Sequence, residues 1–110
     1  MRTRLALLLL PFLAAVAAPA FAADPPEVAL AFLGDRFEPA EIQVPANTKV
    51  TLKIENRSSG AMEFESKSMH REKVVPAGGK ATVSIGPLKP GRYDFFDDFH
   101  PKIGGVVVAR

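Results

Sequence analysis

Val50-Thr51-Leu52-Lys53-Ile54-Glu55 alternates strictly between apolar and polar residues, and Asn56-Arg57-Ser58-Ser59-Gly60 follows as a turn cluster. A period of two puts Val50, Leu52 and Ile54 on one face and the polar residues on the other, the pattern of a half-buried strand. The same style extends outward in both directions. Ala61 to Glu65 alternates, with Met62 and Phe64 on one face and Glu63 and Glu65 on the other. Ala81, Val83 and Ile85 alternate with Lys80, Thr82 and Ser84. Further short runs are Val28 to Phe32, Glu41 to Val44, Lys73 to Val75, Tyr93 to Phe96 and Val106 to Val108. Ten Pro and eight Gly fall almost entirely between these runs. No helical stripe lasts long enough to compete. Strands at intervals of about 8–12 residues predict an all-β sandwich or barrel of about 7–8 strands.

The first 22 residues belong to a different pattern. They hold Arg2 and Arg4, no acid, the run Leu5-Ala6-Leu7-Leu8-Leu9-Leu10 and the ending Ala20-Phe21-Ala22. A charged start, a short apolar centre and an A-x-A site read as a secretory signal peptide cleaved after Ala22. Pro11 interrupts the apolar run, which argues against a retained membrane helix. Two Arg ahead of a Leu run suit bacterial export, so the expected destination is the periplasm. Residues 23–27 then form a short polar leader, expected to be flexible, and residues 28–110 form one domain.

Several functions drop out on composition. The 110-residue chain carries 14 basic and 12 acidic residues. Without Arg2 and Arg4 the two signs balance, which leaves no electrostatic footprint for nucleic acid or anionic lipid. The mature chain is expected to insert into no membrane. Absence of Cys removes disulfides, thiol redox chemistry, thiolate zinc sites and iron–sulfur clusters. No serine lies in a nucleophile-elbow context and no glycine pattern suits a phosphate loop. What remains is Asp97-Asp98-Phe99-His100, after the aromatic strand, and Met62-Glu63-Phe64-Glu65.

Three stretches make the chain resemble the cupredoxin family: Val50 to Asn56 with its polar turn and x-x-F strand, Val75-Pro76-Ala77-Gly78-Gly79, and Leu88-Lys89-Pro90-Gly91-Arg92-Tyr93-Asp94-Phe95 before a Gly-Val-Val strand. The likeness covers about residues 28 to 109 and is nearest to the EfeO-type domains of bacterial iron uptake. It implies a Greek-key β-sandwich. It also places the blue-copper ligands residue by residue. Met62 stands where the first His would be, Asp97 where the Cys would be, and His100 keeps a ligand His. The axial Met would fall near Ile103 or Gly104. One ligand of four survives in kind, and without a thiolate no blue-copper site is expected.

The resemblance therefore implies a metal centre of another kind. Strand alternation groups Tyr93, Phe95 and Asp97 on one face and Met62 with Phe64 on another. A cupredoxin-like closure would bring Met62, Asp97 and His100 to one end, with Glu63, Glu65 and Asp98 at the rim. Carboxylate and imidazole suit iron or Cu(II), whereas thioether leans to Cu(I). The donor set leaves the metal open, and the number of carboxylates favours a hard, oxidisable ion. Plain structural roles compete at every position: Met62 as core, Asp97 and Asp98 as strand-end acids, Glu63 and Glu65 as solvated charge, His100 as an exposed loop residue. His70 and Met69 read as surface. With Asp97 among several clustered acids, its removal is expected to leave stability nearly unchanged or to improve it by relieving repulsion.

The expected function is a periplasmic accessory protein of ferrous iron uptake, holding copper, iron or both. Its expected partners are an inner-membrane iron permease and a periplasmic iron-binding protein. Any activity would be copper-dependent oxidation of ferrous iron. A copper-buffering protein and a metal-free interaction module are the competing readings.

Overall fold

The computed structural model describes residues 2–16 and 23–110. Nine strands follow in chain order: β1 Glu27–Phe32, β2 Phe37–Glu38, β3 Glu41–Val44, β4 Val50–Asn56, β5 Met62–Ser66, β6 Arg71–Val75, β7 Lys80–Ile85, β8 Gly91–Asp97 and β9 His100–Ala109. They form a four-stranded sheet in the order β2-β1-β4-β7 and a five-stranded sheet in the order β3-β9-β8-β5-β6. This is the all-β sandwich anticipated from the alternation. The two parallel pairings, β1 with β4 at the centre of the smaller sheet and β3 with β9 at the edge of the larger, join strands distant in sequence.

Alternation becomes burial strand by strand. Val50, Leu52 and Ile54 are buried along β4, and Met62 and Phe64 along β5. Between the sheets the rings of Phe32, Phe37, Phe95 and Phe64 touch in series, with centroids 5.1, 5.0 and 5.3 Å apart. Each fully buried Phe contributes about 1.5–3 kcal/mol from area removed from water. At the other side of Phe95 the backbone of Gly105 lies so close that a Cβ there would meet the ring at 2.5 Å. The glycine is required by that approach.

The ninth strand is β2, which sequence reading left out. It is only two residues long, pairs Phe37 with Phe32 across the Gly34-Asp35 turn, and is too short to show a period. A second correction concerns Met69, expected at the surface but only 6% exposed within the core. The Lys67–His70 turn folds inward. The Ser66 hydroxyl accepts the Met69 N–H at 3.2 Å and donates to the Asp94 carbonyl at 2.7 Å, and His70 takes a left-handed φ of 54°.

Asn56 locks the next turn. Its buried amide donates to the carbonyls of Gly60, Val75 and Pro76, while Oδ1 accepts from the Ser58 N–H and hydroxyl. One side chain thus holds the 57–60 turn and ties β4 to β6, delivering the chain to Met62.

At the N-terminus, residues 2–16 contain no helix or strand and are exposed. The expected cleavage site after Ala22 lies outside the described residues. Among the described residues no helix is long and apolar enough to cross a membrane. The leader ends in the sheet: the Pro26 carbonyl accepts the Thr51 N–H at 2.9 Å, and Glu27 already pairs in β1.

Candidate functional site

Strands β5 and β8 bring the two motifs together, pairing Phe64 with Asp97 and Glu65 with Phe96. The backbone completes the junction. The Glu63 N–H donates to Asp97 Oδ1 at 2.9 Å, and the Asp98 N–H donates to the Glu63 carbonyl at 2.8 Å. A register shift follows Phe96: Asp97 faces His100 while Phe96 faces Gly104. The hairpin therefore closes tightly through Asp98 and Phe99.

From there the candidates part company. Asp97 is fully buried. Its Oδ1 also accepts the Phe99 N–H at 3.1 Å, and its Oδ2 lies 2.8 Å from His100 Nδ1. Three hydrogen bonds on one buried carboxylate make it the keystone of the hairpin. This corrects the expectation that its removal would be neutral or stabilising. Buried charge is tolerated only when so compensated. The His100 side chain is 60% exposed, and Asp98 is exposed. Met62 is fully buried in the hydrophobic cluster with Phe64 and Val75.

The other face of β5 carries the carboxylates. Glu63, Glu65 and Glu72 each offer a ligand atom, all within 4.8 Å of one another. Period two puts Glu63 and Glu65 on this face, and the hairpin register sets Glu72 directly opposite Glu65. Sequence reading missed Glu72 because it began that strand at Lys73. The signal was present: a four-residue turn pairing Ser66 with Arg71 makes Glu65 oppose Glu72.

Glu63 and Glu65 are half-buried and Glu72 is exposed. The Glu63 carboxyl is pushed above the ordinary glutamate range, first by desolvation and then by Asp98, Glu72, Glu65 and Asp97. The charges that raise it are those of neighbouring carboxylates. Such crowding favours either a proton or a cation.

A groove of about 620 Å³ lies elsewhere, on the four-stranded sheet, lined by Ala29, Lys53, Glu55, Arg57 and Lys80 among others. Lys53 pairs there with Glu27 and Arg57 with Glu55, so it presents mostly compensated charge.

The comparisons agree with this architecture. Residues 6–109 match the family model described as a cupredoxin-like domain. The chain belongs to the cupredoxin-like domain family. An uncharacterized protein of Rickettsia prowazekii (strain Madrid E) is 40% identical over 74 residues, covering 67% of this chain and 59% of that protein. The aligned part thus spans less than two thirds of the relative's length.

Among solved structures, the metal-binding domain of the Streptococcus pneumoniae Cu(I)-exporting P-type ATPase CopA is similar with a TM-score of 0.67 at 13% identity, over 76% of this chain and 84% of that one. The blue copper protein auracyanin A of Chloroflexus aurantiacus gives 0.66 at 14% identity, over 79% and 100%. Amicyanin from Paracoccus versutus gives 0.60 at 18%, over 82% and 85%. At these identities the likeness is one of fold.

Copper is the metal this fold implies, and the residues present do not fit a blue-copper centre. That site needs a thiolate, and the chain has no Cys. The residue in its place, Asp97, already spends both oxygens on three hydrogen bonds. Donors that suit a harder ion stand outside, on the carboxylate face.

Proposed function

We propose that the chain is an exported, periplasmic metal-binding protein of bacterial ferrous iron uptake, of the EfeO type, that takes iron or Cu(II) on Glu63, Glu65 and Glu72. Asp98 stands at the neighbouring hairpin, its charge acting on Glu63. In this reading iron is cargo, passed between a periplasmic iron-binding protein and an inner-membrane permease. The Arg2, Arg4 and leucine-rich start, with Ala20-Phe21-Ala22, supports export.

One observation carries the reading: three carboxylates offer ligand atoms within 4.8 Å of one another. Hard oxygen donors of this kind suit iron and Cu(II) better than Cu(I). A copper-buffering role draws support from the copper-binding relatives in fold, and the same titration separates the two.

The test is an anaerobic calorimetric titration of residues 23–110 with Fe(II), Cu(II) and Cu(I), beside the E63Q/E65Q/E72Q variant, followed by admission of air. Stoichiometric Fe(II) or Cu(II) binding that disappears in the variant supports the site. Tight copper binding without iron binding or iron oxidation selects the buffer. Equal weak binding by both proteins makes the chain a cupredoxin-shaped interaction module.

A further inference from the structure

His100 has two ring nitrogens, and the fold treats them differently. Nδ1 lies 2.8 Å from Oδ2 of Asp97. With Oδ2 as the acceptor, Nδ1 carries the hydrogen, and among the described residues Nε2 has no hydrogen-bond partner. The Asp97 side chain is 0% exposed, whereas that of His100 is 60% exposed. Oδ1 of Asp97 is held in turn by the N–H groups of Glu63 and Phe99. Among the described residues every buried side-chain polar atom has a partner.

We infer that Asp97 is a positioning residue rather than a metal ligand, closing the inner end of the hairpin and fixing His100 as the Nδ1–H tautomer, so that a borderline divalent cation such as Zn(II) or Cu(II) bonds His100 at Nε2 from outside. The reason is the cost of the alternative. A metal seated between Oδ2 and Nδ1 displaces the 2.8 Å hydrogen bond and pulls a carboxylate that holds two backbone N–H groups. Loss of that acceptor leaves two part-buried backbone N–H groups without it, which costs stability. Bonding at Nε2 disturbs nothing. A carboxylate on the second nitrogen also makes the imidazole a better donor, and such partners orient ligand histidines widely. Met62, buried in the core, takes no part.

This inference goes beyond the carboxylate site and stands without it. The test uses the ¹⁵N-labelled mature chain and long-range ¹H–¹⁵N spectra of the imidazoles at a pH where they are neutral. His70, exposed and in a different turn, is the internal control. His100 is expected as the Nδ1–H tautomer, and added Zn(II) is expected to move its Nε2 resonance while the Nδ1 hydrogen persists. In D97N the amide faces Nδ1 as a donor, so the tautomer is expected to reverse and Zn(II) affinity at His100 to fall roughly 10–100-fold.

Three results overturn the inference: loss of the Nδ1 hydrogen with Zn(II) bound at that nitrogen, an unchanged tautomer in D97N, or a wild-type His100 that does not respond to Zn(II). Should D97N fail to fold, the wild-type spectra decide alone. The E63Q/E65Q/E72Q variant separates this inference from the carboxylate reading. It is expected to keep the His100 tautomer whatever it does to iron binding.

Discussion

The backbone N–H of Glu63 donates to the buried Oδ1 of Asp97 at 2.9 Å, joining the strand that carries the clustered glutamates to the hairpin that carries His100. A residue whose side chain belongs to the carboxylate face is thus fixed through its main chain by the residue beneath that hairpin. The Asp98 N–H returns the link to the Glu63 carbonyl at 2.8 Å. Changes at Asp97 are felt at both places.

Asp97→Ala is expected to destabilise the domain by roughly 1–3 kcal/mol, since the part-buried N–H groups of Glu63 and Phe99 lose their acceptor. Urea unfolding monitored by far-UV circular dichroism measures it. A loss below about 0.5 kcal/mol, the range of ordinary surface changes, would mean that water replaces the carboxylate at no cost.

Glu63→Gln is expected to raise stability at neutral pH. The folded-state carboxyl of Glu63 is held above the ordinary value of 4.5 by desolvation and by Asp98, Glu72, Glu65 and Asp97. A group raised in this way contributes its full stability below the unfolded-state value and loses it as pH rises through the folded-state value. The advantage of Gln should therefore be present at pH 7 and shrink as the pH falls through the raised folded-state value. Thermal melting of the two proteins at pH 4 and pH 7 checks the sign. Equal gains at both pH values would point to packing instead.

Gly105→Ala is expected to cost roughly 1–3 kcal/mol or more through overpacking, because the new Cβ would meet the Phe95 ring and the Ala40 carbonyl, each at 2.5 Å. Gly60→Ala is the control, with nothing within 4 Å of its Cβ position. Comparable melting temperatures for the two variants would show that β9 shifts freely over Phe95.

Met69→Ala should behave as a core truncation, losing roughly 2–5 kcal/mol, although Met69 sits in a turn between two polar stretches. Denaturant midpoints at constant m-value report it. A change typical of an exposed residue would place Met69 outside the core.

Strand alternation made most of the sandwich legible in advance. Val50 to Asn56, Glu41 to Val44 and the stretches ending at Val75 and Ile85 lie where the pattern put them, with ends moved by one or two residues. The misses share a cause. Phe37 and Glu38 are too few to display a period, and Met69 is buried by a turn whose geometry depends on Ser66 reaching Met69 and Asp94. Glu72 escaped notice because its partnership with Glu65 is a matter of register across a hairpin.

The sequence alone determined the fold class, the inward faces of the strands and the absence of a thiolate for copper. Those follow from covalent neighbours: which side chains alternate, and which atoms the chain contains. Only the tertiary structure decided how the polar residues at one end are used. It buried Asp97 beneath the hairpin, turned His100 outward, enclosed Met62 in the core and set Glu72 against Glu65. The physical reason is that a side chain's role depends on burial and on partners across strands, which turns and a register shift between Phe96 and Asp97 create and no local period records.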